Sequence, residues 1–243
     1  MVARRKGSTR PLIRAAIFDL DDTLYDCLRQ RVETSHRAAA EAMVRAGVRA
    51  TVDQVLAIRM KAFIKDPHLK SIDAEVARAF GADNLPELSR IAHEAYFSHP
   101  VGELTLFAGS LKVLRTLHGR GVRNFIVSYG EVETQQAKIA ALGLHEEGSV
   151  ERVLFADRQK KMTKEPLFHE ILGTASVVPE QFLVVGDRPS AEIAIGKRLG
   201  MHTVRRRGGE FALLEPQAPE EVADFEITEI DEILRLPYSF GQA

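Results

Sequence analysis

The chain has 243 residues, 45% of them hydrophobic, with 33 basic against 34 acidic side chains and a net charge of -1. That much apolar material builds a sizeable core and excludes a disordered chain, and the balanced charge gives no reason to expect nucleic acid or a membrane surface as partner. A single cysteine, Cys27, cannot close an internal disulfide, and no apolar run reaches the ~18 residues of a membrane span, so we expect a cytoplasmic monomer or homodimer acting on a small molecule.

Residues 1–10 are basic, precede no signal-type apolar segment, and read as a frayed tail rather than a nucleic-acid arm. Ala15-Ala16-Ile17-Phe18 lacks the polar alternation of a half-exposed strand and predicts a strand buried on both faces, as in a parallel sheet covered by helices. It is cut off by Asp19, Asp21 and Asp22. Ligands of such sheets bind beyond the carboxyl ends of the strands. Carboxylates this close resist joint ionisation unless a cation or buried partners neutralise them, and a divalent metal is the simplest answer.

The pattern then turns helical. Leu28, Val32, Ser35, Ala39, Ala42 and Ala46 fall at spacings of three and four, predicting a helix from about Asp26 to Ala46 that Gly47 stops. Thr51-Val52-Asp53-Gln54 is a capping box opening a second helix to about Lys65; a third follows Ser71 and ends before Gly81; Pro86 begins a fourth that continues to Phe97. The segment Lys65-Asp66-Pro67-His68-Leu69-Lys70 is a polar, partly basic loop and a candidate for leaving-group recognition. Four helices with no strand among them, placed after the acidic strand and before the remaining strands, predict an all-α insert at residues 25–100 in an α/β core of residues 1–24 and 101–243.

The α/β pattern resumes with a helix over Ser110–His118 and the apolar strand Asn124–Val127, which runs into Ser128-Tyr129-Gly130. A helix over Glu133–Leu142, a strand over Glu151–Phe155, a polar loop over Asp157–Thr163 and a helix centred on Leu167–Leu172 follow. Phe182-Leu183-Val184-Val185 is again continuously apolar and ends in Gly186-Asp187, with a helix stopping at Gly200. Thr203-Val204 and Phe225–Ile227 read as short strands, and Glu229–Leu236 as a last helix.

Asp19-Leu20-Asp21-Asp22-Thr23 resembles the DxDxT signature of the haloacid dehalogenase superfamily, most of whose members are magnesium-dependent phosphatases. The remaining motifs occur in that family's order: Ser128 is similar to its second-motif hydroxyl, Lys164 to its third-motif lysine and Gly186-Asp187 to its fourth-motif acid. The resemblance implies a doubly wound parallel sheet with an inserted helical cap of the C1 type, and Mg2+-dependent hydrolysis of a small phosphorylated metabolite. In that scheme Asp19 is the nucleophile and Asp21 the general acid/base, while Thr23, Ser128 and Lys164 contact the substrate. Asp187 and the backbone carbonyl of Asp21 join Asp19 around the metal, with Glu192 as a further ligand. A carboxylate nucleophile splits the transfer into two steps, a second carboxylate moves the protons, and metal, hydroxyl and ammonium offset the phosphoryl charge.

Alternatives stay open. Lys160 and Lys161 compete with Lys164, although Pro166 and the helix soon after favour Lys164. The chain departs from the family where Arg188-Pro189-Ser190-Ala191-Glu192 stands in place of a further Asp close to Asp187; Glu192 reaches one methylene further, and Arg188 either pairs with it or faces the substrate. A phosphomutase or a 2-haloacid dehalogenase uses the same scaffold. A receiver-like regulatory domain gathers similar acids and a lysine but lacks so large a helical insert.

Overall fold

Two strands open the fold, β1 (Leu12–Ile13) and β2 (Ala15–Phe18), and every residue of β2 is buried, as its unbroken apolar run requires. The structure, a computed structural model, describes residues 10–65 and 72–241. β2 lies at the centre of a six-stranded, wholly parallel sheet completed by β3 (Arg123–Gly130), β4 (Arg152–Asp157), β5 (Phe182–Gly186), β6 (His202–Arg206) and β7 (Phe225–Ile227), in the order β4-β3-β2-β5-β6-β7. Phe18 pairs in register with Ile126 on one side and Val185 on the other, which sets the three strands side by side. The helices α5 (Ser110–Gly119), α6 (Val132–Ala141), α7 (Glu165–Ala175) and α8 (Ala194–Arg198) flank the sheet. Ile17, Phe125, Val127, Val184, Phe168 and Ile171 form its main core.

The chain divides into two compact units, one running to Tyr25 and again from Glu103 to Ala243, the other Asp26–Gly102. The second unit is wholly helical among the described residues: a π-type turn over Leu28–Val32, then α1 (Glu33–Arg45), α2 (Val52–Lys65), α3 (Ile72–Phe80) and α4 (Leu85–Ser98). The capping box forms as its residues predict, with Gln54 N donating to Thr51 Oγ1 at 3.2 Å and Thr51 N donating to Gln54 Oε1 at 2.9 Å. Ala39, Met43, Val55, Val76, Leu88 and Ala92 make a separate core for this unit. The polar loop proposed for leaving-group recognition lies, from Asp66 onward, outside the described residues.

Several elements differ from the sequence expectation, among them the helix expected from about Asp26, which begins as the π-type turn over Leu28–Val32. The last helix is a six-residue 3₁₀ helix, Ile230–Arg235, with a capping box between Glu229 and Glu232; short connectors commonly tighten to this form. The helix expected after Arg188 starts with a π-type turn over Pro189–Ile193 before α8. A two-residue strand β8 (Ser239–Phe240) pairs with β1 in a second small sheet, too short to leave a periodic signature.

Candidate active site

The strand order reverses at β2, whose neighbours are β3 on one side and β5 on the other, and the crevice outside such a switch point is where open α/β sheets bind ligands. Asp19 follows β2 and Asp187 follows β5, and the Asp19 amide donates to the Val185 carbonyl at 2.9 Å, fixing the two chain exits side by side. The π-type turn after Asp187 brings Glu192 to the same place. Asp19, Asp187 and Glu192 are all buried, and each offers a carboxylate oxygen within 4.8 Å of the others. Lys164, at the N-cap of α7, is buried with them and ion-pairs with both Asp19 and Glu192. Of the three lysines in its loop, Lys160 instead pairs with Asp157 at 3.2 Å and is 76% exposed, and Lys161 is exposed.

Burial, opposed by Lys164 and reinforced by Glu192 and Asp21, pushes the Asp19 carboxyl up to about 7. Asp187 is pushed well above the carboxylate range, first by burial and then by Asp19, Glu192 and Asp22. Burial opposes the charge on Lys164, yet Asp19 and Glu192 together outweigh it and hold the ammonium above its ordinary value. Three buried carboxylates and one ammonium leave the cluster two charges short, which two protons or one divalent cation makes good. Glu192 Oε2 is buried with no hydrogen-bond partner among the described residues. An unsatisfied oxygen among hard carboxylate donors is what a divalent cation takes, so the residues present fit such an ion.

Asp21 points elsewhere. Lys138 Nζ, on α6, donates to its two carboxylate oxygens at 2.9 and 2.7 Å, Tyr25 Oη donates to Oδ1 at 2.7 Å and Gln135 Nε2 approaches Oδ2 at 3.4 Å. Its side chain is outside the three-carboxylate cluster. Ser128, on β3, is fully buried and donates to Gln135 Oε1 at 2.9 Å. Thr23 is fully buried, and its hydroxyl has no partner among the described residues.

A model of the haloacid dehalogenase-like hydrolases matches residues 13–200, well over half of the chain. The chain belongs to that family. Among the relatives of this haloacid dehalogenase-like hydrolase is a protein of Methanopyrus kandleri named glyceraldehyde 3-phosphate phosphatase, 30% identical over 92% of this chain and 96% of its own length. A protein of the same name from Methanocaldococcus jannaschii is 28% identical over the same shares. Solved structures share the fold: CbbY from Rhodobacter sphaeroides in complex with phosphate (TM-score 0.58, 18% identity, 91% of this chain and 96% of that one) and L-2-haloacid dehalogenase from Xanthobacter autotrophicus (TM-score 0.54, 20% identity, 92% and 98%).

This family member carries site groups that its motifs did not announce. Gln135 and Lys138 lie one turn apart on the buried face of α6, and the available signal was two polar side chains at helical spacing with the buried Ile139 and Leu142. Asp22 is a buried support of the loop: its backbone adopts a φ of 53°, and its side chain accepts from the Glu210 amide at 3.0 Å. Glu192 Oε1 goes to Lys164. Arg188 lies over the Phe211 ring, 4.9 Å from its centroid, and donates to Ser190 Oγ.

Proposed function

We propose that Asp19 is the nucleophile of a divalent-cation-dependent phosphatase and that the ion is Mg2+. The chain is a phosphatase of small phosphorylated metabolites, and the name shared by its relatives puts glyceraldehyde 3-phosphate first among candidate substrates. The observation carrying this reading is the pairing of roles two residues apart: Asp19 in the buried cluster beside Lys164, and Asp21 held outside it on a separate set of donors.

A carboxylate oxygen of Asp19 attacks phosphorus as the bond to the ester oxygen breaks, and the electron pair leaves on that oxygen, which takes a proton from Asp21, entering this step as the acid; the ion pair with Lys138 belongs to the carboxylate left after it. Water then loses a proton to the Asp21 carboxylate and attacks the phosphorus of the aspartyl-phosphate. The bond to Asp19 breaks, both carboxyl groups return to their starting forms, and ester plus water has become alcohol plus phosphate. Asp19, Asp187, Glu192 and the Asp21 carbonyl are the groups that would hold Mg2+, which when bound offsets the charge between nucleophile and phosphoryl oxygens. Lys164 and Ser128 supply donors to those oxygens. Ser128 does so by turning its hydroxyl away from Gln135, and Thr23, being enclosed, joins them only if its turn opens. The helical unit is the part of the chain we assign to substrate selection, as a cap.

Halide leaves carbon as a stable anion and needs no proton, so a general acid at Asp21 favours phosphate esters over 2-haloacids. Purified protein should be assayed against a panel of phosphate esters, glyceraldehyde 3-phosphate included, with and without magnesium, and for halide release from 2-haloacids. Magnesium-dependent phosphate release supports the reading; halide release without phosphatase activity overturns it.

A further inference from the structure

We infer that Lys138 and Gln135 are positioning residues that hold the Asp21 carboxylate in its working orientation and tie it to Ser128, an inference that rests on the phosphatase reading above. Asp21 sits in a turn and is the least buried of the carboxylates assigned to the reaction, with a side chain 28% exposed. A short side chain so placed would rotate about χ1 and χ2 unless held. Its two oxygens are held from two directions, by the Lys138 ammonium across both and by the Tyr25 hydroxyl on Oδ1.

Lys138 is 5% exposed. Burying an ammonium carries a desolvation cost that its partner must offset, and breaking such a pair from one side is more damaging than never having it. This ion pair ends on the carboxylate two residues from the proposed nucleophile. Gln135 completes the arrangement through two different groups: its Oε1 accepts from Ser128 and its Nε2 faces Asp21 Oδ2 and the Tyr129 carbonyl. Gly130 makes room for this amide, since a Cβ at that position would overlap Gln135 Nε2. The side chain expected to bind a phosphoryl oxygen and the side chain expected to move the proton are thus joined by one amide, so a hydroxyl that turns toward phosphate releases Gln135 Oε1 within reach of the same network.

A double-mutant cycle separates positioning from the alternatives. With magnesium present, Asp21→Asn, Lys138→Met and the double variant are assayed on glyceraldehyde 3-phosphate, an alkyl ester, and on 4-nitrophenyl phosphate, whose leaving group needs little protonation. We expect Lys138→Met to lower kcat on the alkyl ester about tenfold more than on the aryl ester, with KM little changed, and to add less than about twofold once Asp21 is Asn. Losses that multiply in the double variant, or a KM raised about tenfold at unchanged kcat, would overturn the inference, the latter making Lys138 a substrate-binding cation. Should Lys138→Met fail to fold, Gln135→Leu leaves the ion pair in place and enters the same cycle. If the wild type cleaves neither ester, the phosphatase reading fails; if it cleaves both and the losses multiply, the positioning inference fails alone.

Discussion

Arg206 donates through Nη1 to the backbone carbonyl of Asp22 at 2.7 Å, joining the end of β6 to the turn that carries Asp19 and Asp21. The guanidinium is buried and stacks on Phe107, 3.9 Å from the ring centroid. Asp22 holds a left-handed backbone, uncommon among non-glycine residues though Asp tolerates it, and Arg206 together with the Glu210 amide supports it. Arg206→Met keeps the stem and removes the donor. It should cost about 1–3 kcal/mol of stability, the range for leaving a buried acceptor unsatisfied, and, with Asp19 and Asp21 acting as proposed, lower kcat because their turn relaxes. Denaturant unfolding and steady-state kinetics would check both; full stability with full turnover would refute the anchor.

Gly209 sets the other side of this anchor. Its φ is 68°, and a Cβ there would overlap the Asp22 carboxylate. Gly209→Ala should therefore mimic the turn defect of Arg206→Met without touching a charge, with a stability loss of about 1–3 kcal/mol from backbone strain and crowding. A variant as stable and active as wild type would show that Asp22 moves aside freely.

Metal affinity should rise with pH through the neutral range. Asp19, pushed up to about 7, and Asp187, pushed well above its ordinary range, hold protons when no cation balances them, and a cation binds the deprotonated forms. Titration of Mg2+ calorimetrically in two buffers of different ionisation enthalpy, at a pH about half a unit below neutrality, should reveal proton release, and excess chelator should abolish turnover. Undiminished phosphatase activity in chelator would rule out the ion.

Under the proposed mechanism, Asp19→Asn removes the carboxylate that attacks phosphorus while keeping the side-chain shape. Turnover should fall to background with the fold intact, although Lys164 then loses part of its ionic partnership and retains Glu192. More than about a tenth of wild-type turnover, a barrier change under about 1.4 kcal/mol, would argue against a covalent intermediate on Asp19.

The parts of the site that were legible in the sequence are those fixed by chain direction. A buried parallel strand has to end abruptly, so Asp19 and Asp187 at apolar run-outs marked strand ends, whereas Ser128, read as a strand end, lies within β3, which stays paired with β4 as far as Gly130. Lys164 followed from motif order together with Pro166 and the helix soon after it, and Glu192 from the charge it keeps where the family has a further Asp. Lys138, Gln135 and Arg206 were hidden because each lies more than 100 residues from the turn it supports, and pairing across such distances leaves no periodic trace. The π-type turns and the 3₁₀ helix were missed for the opposite reason: apolar spacing of three and four does not distinguish these helices over five or six residues.

Within the helical unit, a buried histidine should make stability depend on pH. His36 sits between the rings of Phe63 and Tyr96, its Nδ1 accepts from Arg59 Nε at 3.3 Å, and Arg59 in turn pairs with Asp73. Nδ1 as acceptor places the proton on Nε2, which is buried without a partner among the described residues. Burial first, and the Arg59 charge second, lower His36 from 6.5 to about 3. Between those two values the unfolded chain binds a proton that the folded chain refuses, so stability rises with pH across the window. The contribution is fully present above about 6.5 and is lost progressively as pH falls toward 3. From about pH 7 to about pH 4.5 the loss should be about 2–3 kcal/mol, at roughly 1.36 kcal/mol per unit. His36→Gln cannot take up that proton, so the stability of the variant should depend less steeply on pH in this interval, even if it is lower than wild type at neutral pH. Urea midpoints at three pH values across the interval, for both proteins, measure the difference in slope. Parallel slopes would mean that His36 is protonated within the fold, with Asp73 reaching it past Arg59.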